Sequence, residues 1–178
     1  DTISATSIDI CVETPAGFYT TFGSSTLLHK PCPAGYYCPL ETGVYTNFPC
    51  PAGTYNEATG LTLPGECVDC TVGNYCPQAS ISHTKCAVGK YSAIEKATEV
   101  GACDLCDAGW ACPVEGMYEM DTPCDEGHYC PAGTQRATQY PCPTGTYTDS
   151  LSLKKVEECT PCPAGQACDA SEGTVSAT

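Results

Sequence analysis

Apolar side chains of the kind that build protein cores are scarce in this chain: Leu, Ile, Val and Phe number 25 among 178 residues, beside two Met and one Trp. With a formal net charge of −14, such a composition falls in the disordered range, because the apolar area buried does not offset chain entropy. No apolar run approaches the roughly 20 residues needed to cross a bilayer, so no direct membrane insertion is expected. Basic residues are equally few, seven Lys and Arg against 21 Asp and Glu. Nucleic acid and anionic lipid would be repelled by that surface and are excluded as partners, whereas cationic partners or divalent ions are compatible with it. An acidic, solvated surface that keeps a core-poor chain in solution accounts for the charge.

Other signals are missing too. No window carries a 3.6-residue apolar period, so helix content should be very low. The three histidines, His29, His83 and His128, stand far apart without a repeated carboxylate or nucleophile beside them. No catalytic residue, cofactor or metal site is therefore expected. Phosphate-loop and calcium-loop patterns are absent, and so is the Asn-x-Ser/Thr acceptor for glycans. Asp1 is not followed by a basic segment and an apolar stretch, so a signal peptide is expected to lie upstream or to have been removed.

What the chain has in place of a core is cysteine, 17 residues or nearly one in ten. That density belongs to disulfide scaffolds, where cross-links restrict the unfolded chain by roughly 2–3 kcal/mol per bridge. Bridges persist in oxidising surroundings, which places the expected location outside the cell, secreted or at the cell surface.

The cysteines are periodic. Counting Cys as position 0, Gly at +3 and usually Tyr at +5, units open at Cys32, Cys50, Cys70, Cys86, Cys106, Cys124, Cys142 and Cys162, with a degenerate copy opening at Thr14. Two kinds of unit occur: a second cysteine stands either at +6 or at +17. One of each makes a module of about 38 residues. The organisation read from this is an incomplete N-terminal repeat at 1–31, modules at 32–69 and 70–105, an extra short unit at 106–123, a module at 124–161 and an incomplete C-terminal repeat at 162–178.

The Cys-Pro-Ala-Gly opening predicts a tight turn with Pro second and Gly fourth. The turn glycines would be Gly17, Gly35, Gly53, Gly73, Gly89, Gly109, Gly127, Gly145 and Gly165. The aromatic at +5 would cover the sulfurs. Gly and Pro, 32 residues together, leave room only for strands of three to five residues joined by turns. The fold class expected is small disulfide-rich repeats, an elongated stack of short β-strands and turns with very little helix, each unit touching its neighbours alone.

Internal comparison narrows the pairing without fixing it. In the N-terminal unit Thr14 and His29 replace both members of a +17 pair. That joint absence supports Cys50–Cys67, Cys86–Cys103 and Cys142–Cys159. The extra unit brings Cys106 and Cys112 with it, so these can satisfy each other, leaving Cys32–Cys38, Cys70–Cys76, Cys124–Cys130 and Cys162–Cys168 by exclusion. A nested alternative, Cys38 to Cys50 with Cys32 to Cys67 and equivalents downstream, remains open; local pairing is preferred. The Cys-x-x-Cys pairs Cys67/Cys70, Cys103/Cys106 and Cys159/Cys162 read as seams where one unit closes and the next opens, not as redox or zinc motifs. Cys11 is left over and is expected to be unpaired or intermolecular. The register at both ends suggests head-to-tail docking through Asp1–Tyr19 and Cys162–Thr178. Partners would then be copies of the chain itself or flanking repeats of a longer one.

The motifs Cys-Pro-Ala-Gly-Tyr-Tyr-Cys at 32–38 and Cys-Pro-Ala-Gly-Thr-Tyr at 50–55 resemble ephrin-receptor-like cysteine-rich repeats. The +17 units also look like the first submodule of tumour-necrosis-factor-receptor cysteine-rich domains. The resemblance spans about residues 11 to 168 and implies extracellular, disulfide-bonded modules of the kind found in large surface proteins of protists. Two functions are compatible with it. One is a structural rod, coat or filament with no enzymatic activity. The other is a receptor or adhesive ectodomain binding a protein or glycan, with Trp110, Met117, Tyr118 and Met120 as the candidate contact cluster because large soft residues gather there off the repeat frame.

Overall fold

The turn that opens each unit carries a glycine in the left-handed region. In the computed structural model, which describes residues 13–20 and 29–168, the nine +3 glycines have φ between +76° and +95°. The residue after each glycine donates its N–H to the carbonyl three residues back. Phe18 bonds Pro15, Tyr36 bonds Pro33 and Thr54 bonds Pro51, and the series runs through all nine units to Gln166 on Pro163, at 2.9–3.3 Å. Positive φ at the third position is the signature of a type II turn. The turn therefore starts one residue later than the sequence reading placed it, with Pro first and Gly third. Only that register uses the conformation that glycine alone adopts without strain.

The two residues leaving the turn pair antiparallel with the two residues that precede the next unit's opening cysteine. Residues 1–69 with 76–83 form one compact unit and residues 70–75 with 84–178 another. In the first, Phe18–Tyr19 pairs with Lys30–Pro31 and Thr54–Tyr55 with Val68–Asp69, and a single bridge joins Tyr36 to Pro49. In the second, Asn74–Tyr75 pairs with Thr84–Lys85, Lys90–Tyr91 with Asp104–Leu105, Trp110–Ala111 with Thr122–Pro123 and Thr146–Tyr147 with Thr160–Pro161; His128 bridges Pro141. The strands are two residues long, shorter than expected: one member of each pair follows directly on a left-handed glycine, and the other runs directly into the residue that opens the next unit.

Among the described residues the helical elements are 3-10 turns at Tyr45–Asn47, Pro64–Glu66, Val100–Ala102 and Val156–Glu158. The last three stand directly before Cys67, Cys103 and Cys159. In each, the cysteine N–H closes the turn onto Pro64, Val100 or Val156. Glu66 caps the first of them: its carboxylate accepts from the Thr62 and Leu63 N–H groups at 2.6 and 3.0 Å. Those two bonds hold the Glu66 carboxyl below the usual glutamate range.

Sulfur fills the interior. Cystine residues dominate the buried set, while Leu63, Ile81, Val100 and Val114 are exposed. The bridges are Cys32–Cys38, Cys50–Cys67, Cys86–Cys103, Cys106–Cys112, Cys124–Cys130, Cys142–Cys159 and Cys162–Cys168, with Cα atoms 5.5–6.0 Å apart. Cys70 and Cys76 are disulfide-bonded as well. The nested pairs Cys38–Cys50 and Cys32–Cys67 do not form. Cys11 lies outside the described residues.

Aromatic cover is also arranged differently from the expectation. Tyr91, at +5 of its own unit, packs on the cluster of Cys106, Cys112 and Met117 in the next. Tyr129 packs likewise on Cys142, Leu153 and Cys159. The ring shields the sulfurs of the following unit, because a strand that leaves its turn and crosses the seam carries its side chain with it.

Candidate functional site

The seam between successive units is the most highly specified feature of the molecule. At its centre the +3 glycine both donates and accepts. Its N–H reaches the carbonyl of the +6 residue in the next unit: Gly17 to Cys38, Gly35 to Asn56 and Gly53 to Cys76 in the first compact unit, and Gly73 to Ser92, Gly89 to Cys112, Gly109 to Cys130, Gly127 to Thr148 and Gly145 to Cys168 in the second, at 2.7–3.1 Å. Its carbonyl accepts from the opening residue of the next unit, as in Cys32 on Gly17, Cys106 on Gly89 and Cys124 on Gly109, at 2.8–2.9 Å.

A second left-handed residue locks each seam, and the sequence reading missed it. Glu41, Gly60, Ala79, Lys96, Gly116, Gly133 and Ser152 all have positive φ. Each stands at +9 or +10 of its unit and donates its N–H to the carbonyl of the preceding unit's opening residue, for example Glu41 to Thr14, Gly116 to Cys86 and Ser152 to Cys124. Three of the seven are glycine, which was the available signal; the four non-glycine residues concealed it.

The same residues bring a unit against the next but one. A Cβ on Gly17 would lie 2.6 Å from the Gly60 carbonyl oxygen, on Gly35 2.5 Å from that of Ala79, on Gly89 2.6 Å from that of Gly133 and on Gly109 2.6 Å from that of Ser152. Each pair spans two unit steps. This corrects the expectation that units touch only their neighbours. The glycines let backbone meet backbone, and a chain too poor in side chains to fill a core packs by that route instead.

Where a unit lacks the +6 cysteine, a polar residue takes its place. Asn56, Ser92 and Thr148 are 1–4 % exposed. Their side chains accept from the N–H two residues on: Ala58 to Asn56 at 2.9 Å, Ile94 to Ser92 at 3.4 Å and Ser150 to Thr148 at 3.1 Å. A local cap thus does at these positions what a bridge does in the alternate units.

The four residues of the expected contact cluster separate. Met117 is buried with Cys106 and Cys112, and Trp110 and Met120 pack on the same cluster. These three are core, since the extra unit needs apolar cover for its bridge like any other. Tyr118 alone is well exposed. It borders a groove of about 360 Å³ lined by Pro113, Val114, Gly116, Met117, Tyr118, Glu119, Asp121 and Thr122.

The remaining sequence candidates are dispersed. The two cysteines of each Cys-x-x-Cys pair belong to different bridges: Cys103 to Cys86 and Cys106 to Cys112, Cys159 to Cys142 and Cys162 to Cys168. Among the described residues no three His, Cys, Asp or Glu side chains come together as a metal set. His83 packs edge-on to Tyr55 with ring centres 5.5 Å apart, and His128 turns its Nδ1 to the Glu126 carbonyl at 2.8 Å. Of the expected docking ends, residues 1–12 and 169–178 lie outside the described residues. No family model matches this chain, and no curated protein is significantly similar to it.

Proposed function

We propose that the protein is a structural extracellular repeat protein, a rod, coat or filament segment built from copies of one self-complementary seam. The observation that carries this reading is the recurrence of the same glycine donor bond at eight seams while the residues exposed around them vary. A unit that offers to the next the groups it receives from the last is a design for extension. Sixteen bridged cysteines, and no helix among the described residues long and apolar enough to cross a membrane, fit a secreted or extracellular protein. The ephrin-receptor-like resemblance points the same way.

The groove beside Tyr118 favours a second reading, a receptor or adhesive ectodomain with that groove as its contact. Sedimentation velocity over a concentration series, with negative-stain imaging of the oxidised full chain, separates the two. Concentration-dependent growth into ordered fibres or sheets supports the structural reading. A monomer at every concentration that binds a protein or glycan saturably overturns it.

A further inference from the structure

Tyr118 is the most exposed tyrosine of the chain. The chain has 11 tyrosines; Tyr118 is 50 % exposed, Tyr140 is 36 % exposed, and the other nine are half-buried. Most of those nine stand at +4 or +5 of a unit, where the seam holds them.

Its surroundings also differ. The chain on either side is pinned: Gly116 donates its N–H to the Cys86 carbonyl at 2.8 Å, the Met117 carbonyl accepts from Ser92 at 3.0 Å, and Thr122–Pro123 is held as a strand against Trp110–Ala111. Tyr118 and Glu119 stand between these anchors and line the groove. Exposed Glu115, Glu119 and Asp121 stand at −3, +1 and +3 from the tyrosine. The aliphatic stem of Lys85 lies near Gly116. Tyr140 supplies an internal control. It has no carboxylate within eight residues on either side, and its hydroxyl accepts from the Gln139 side chain at 3.0 Å.

We propose that Tyr118 is a sulfation site. The phenolic oxygen attacks the sulfur of an adenylyl-sulfate donor, a mixed anhydride of sulfuric and phosphoric acids. The S–O bond to the phosphate breaks with its electron pair leaving on the phosphate oxygen, and the phenol proton passes to a base of the transferring enzyme. The product is an aryl sulfate ester, and no oxidant or reductant is involved. An enzyme that holds a polyanionic donor presents a cationic site, and carboxylates flanking the acceptor raise the encounter rate with such a site. Modification also requires a hydroxyl that the fold leaves accessible, and Tyr118 meets both conditions together. The ester would leave a fixed negative charge beside the groove that Tyr118 lines, ready for a partner carrying Lys or Arg.

The proposal rests on the extracellular reading only for where the donor is met, and its test does not depend on assembly. The oxidised full chain is incubated with a tyrosine-directed sulfotransferase and labelled adenylyl-sulfate donor, and the label is mapped by peptide fragmentation. One sulfate on Tyr118 is expected, lost entirely in Tyr118→Phe and acquired several-fold more slowly in the double variant Glu119→Gln with Asp121→Asn. Retention of all bridges in each variant, read by thiol titration, shows that the fold survives. Label equally on Tyr140, or no label on the oxidised chain, overturns the proposal. Label at an unchanged rate in the double variant overturns the electrostatic argument on which it stands.

Discussion

Replacing Gly109 with alanine should damage the seam more than the same replacement at Gly145. Both glycines are left-handed, at φ +95° and +86°, so both variants incur the backbone cost of an L-residue there, roughly 1–2 kcal/mol. They differ in what the new methyl meets. At Gly145 the Cβ would meet nothing among the described residues within 4 Å, whereas at Gly109 it would stand 2.6 Å from the Ser152 carbonyl oxygen and 3.4 Å from Lys154 Cγ. The carbonyl cannot swing aside freely, because the Ser152 N–H is bonded to Cys124 and Gly109 itself is bonded to Cys130 and Cys124. Relief therefore requires the two segments to separate, adding about 1–3 kcal/mol as overpacking strain. The assay is native-state hydrogen exchange of the oxidised chain, reading the Cys124, Cys130 and Ser152 amides. Local opening is the appropriate quantity, since a repeat array need not unfold in two states. In Gly109→Ala these amides should lose protection by more than tenfold relative to Gly145→Ala. Equal loss in the two variants would refute the two-step packing of the glycines.

Three other outcomes are expected. Asn56→Ala removes the acceptor for Ala58 N–H and the donor to Ala58 O, which lie 2.9 and 2.8 Å away. It should cost about 1–2 kcal/mol, measured as faster exchange of the Ala58 amide, with Asn56→Asp retaining part of the protection. Limiting reductant followed by alkylation mapping should open Cys50–Cys67, Cys86–Cys103 and Cys142–Cys159 before Cys32–Cys38, Cys106–Cys112 and Cys124–Cys130. The closing cysteines Cys67, Cys103 and Cys159 are 6–8 % exposed, whereas both members of those short bridges are fully buried, and thiolate attack needs access. Simultaneous loss of all bridges would contradict that order. The Glu66 carboxyl is held low by the Thr62 and Leu63 N–H groups, so its cap is present above the ordinary glutamate range and is lost as pH falls through the lowered value. Amide exchange at Thr62 and Leu63 should accelerate in that acid window, and Glu66→Gln should remove the pH dependence.

The repeat frame was legible because cysteine, glycine and tyrosine recur at fixed offsets, and the turns, the short strands that leave them and the scarcity of helix followed from that spacing; which residues pair with those strands did not. The turn register was misjudged because Pro suits the second position of a turn in isolation, whereas the seam uses glycine for its positive φ. The locking residues at +9 and +10 were hidden for a different reason. Glu41, Ala79, Lys96 and Ser152 adopt a conformation that local preference does not encode; it is imposed by the N–H bond to the preceding unit. Trp110 and Met120 looked available for a partner because large soft residues gather in the extra unit, yet their side chains pack on the cluster of the Cys106–Cys112 bridge. Tyr118 is off-frame in sequence, and its exposure depends on the anchoring of Gly116 and Met117, which the sequence does not state.

Disulfide mapping of the native chain tests the repeating seam most directly. Non-reducing proteolysis with fragmentation should recover Cys32–Cys38, Cys50–Cys67, Cys86–Cys103, Cys106–Cys112, Cys124–Cys130, Cys142–Cys159 and Cys162–Cys168 as separate cross-linked peptides. Recovery of Cys38 joined to Cys50 and Cys32 joined to Cys67, with equivalents downstream, would mean that units are interlocked by covalent bonds instead of by the glycine seam, and would contradict the account.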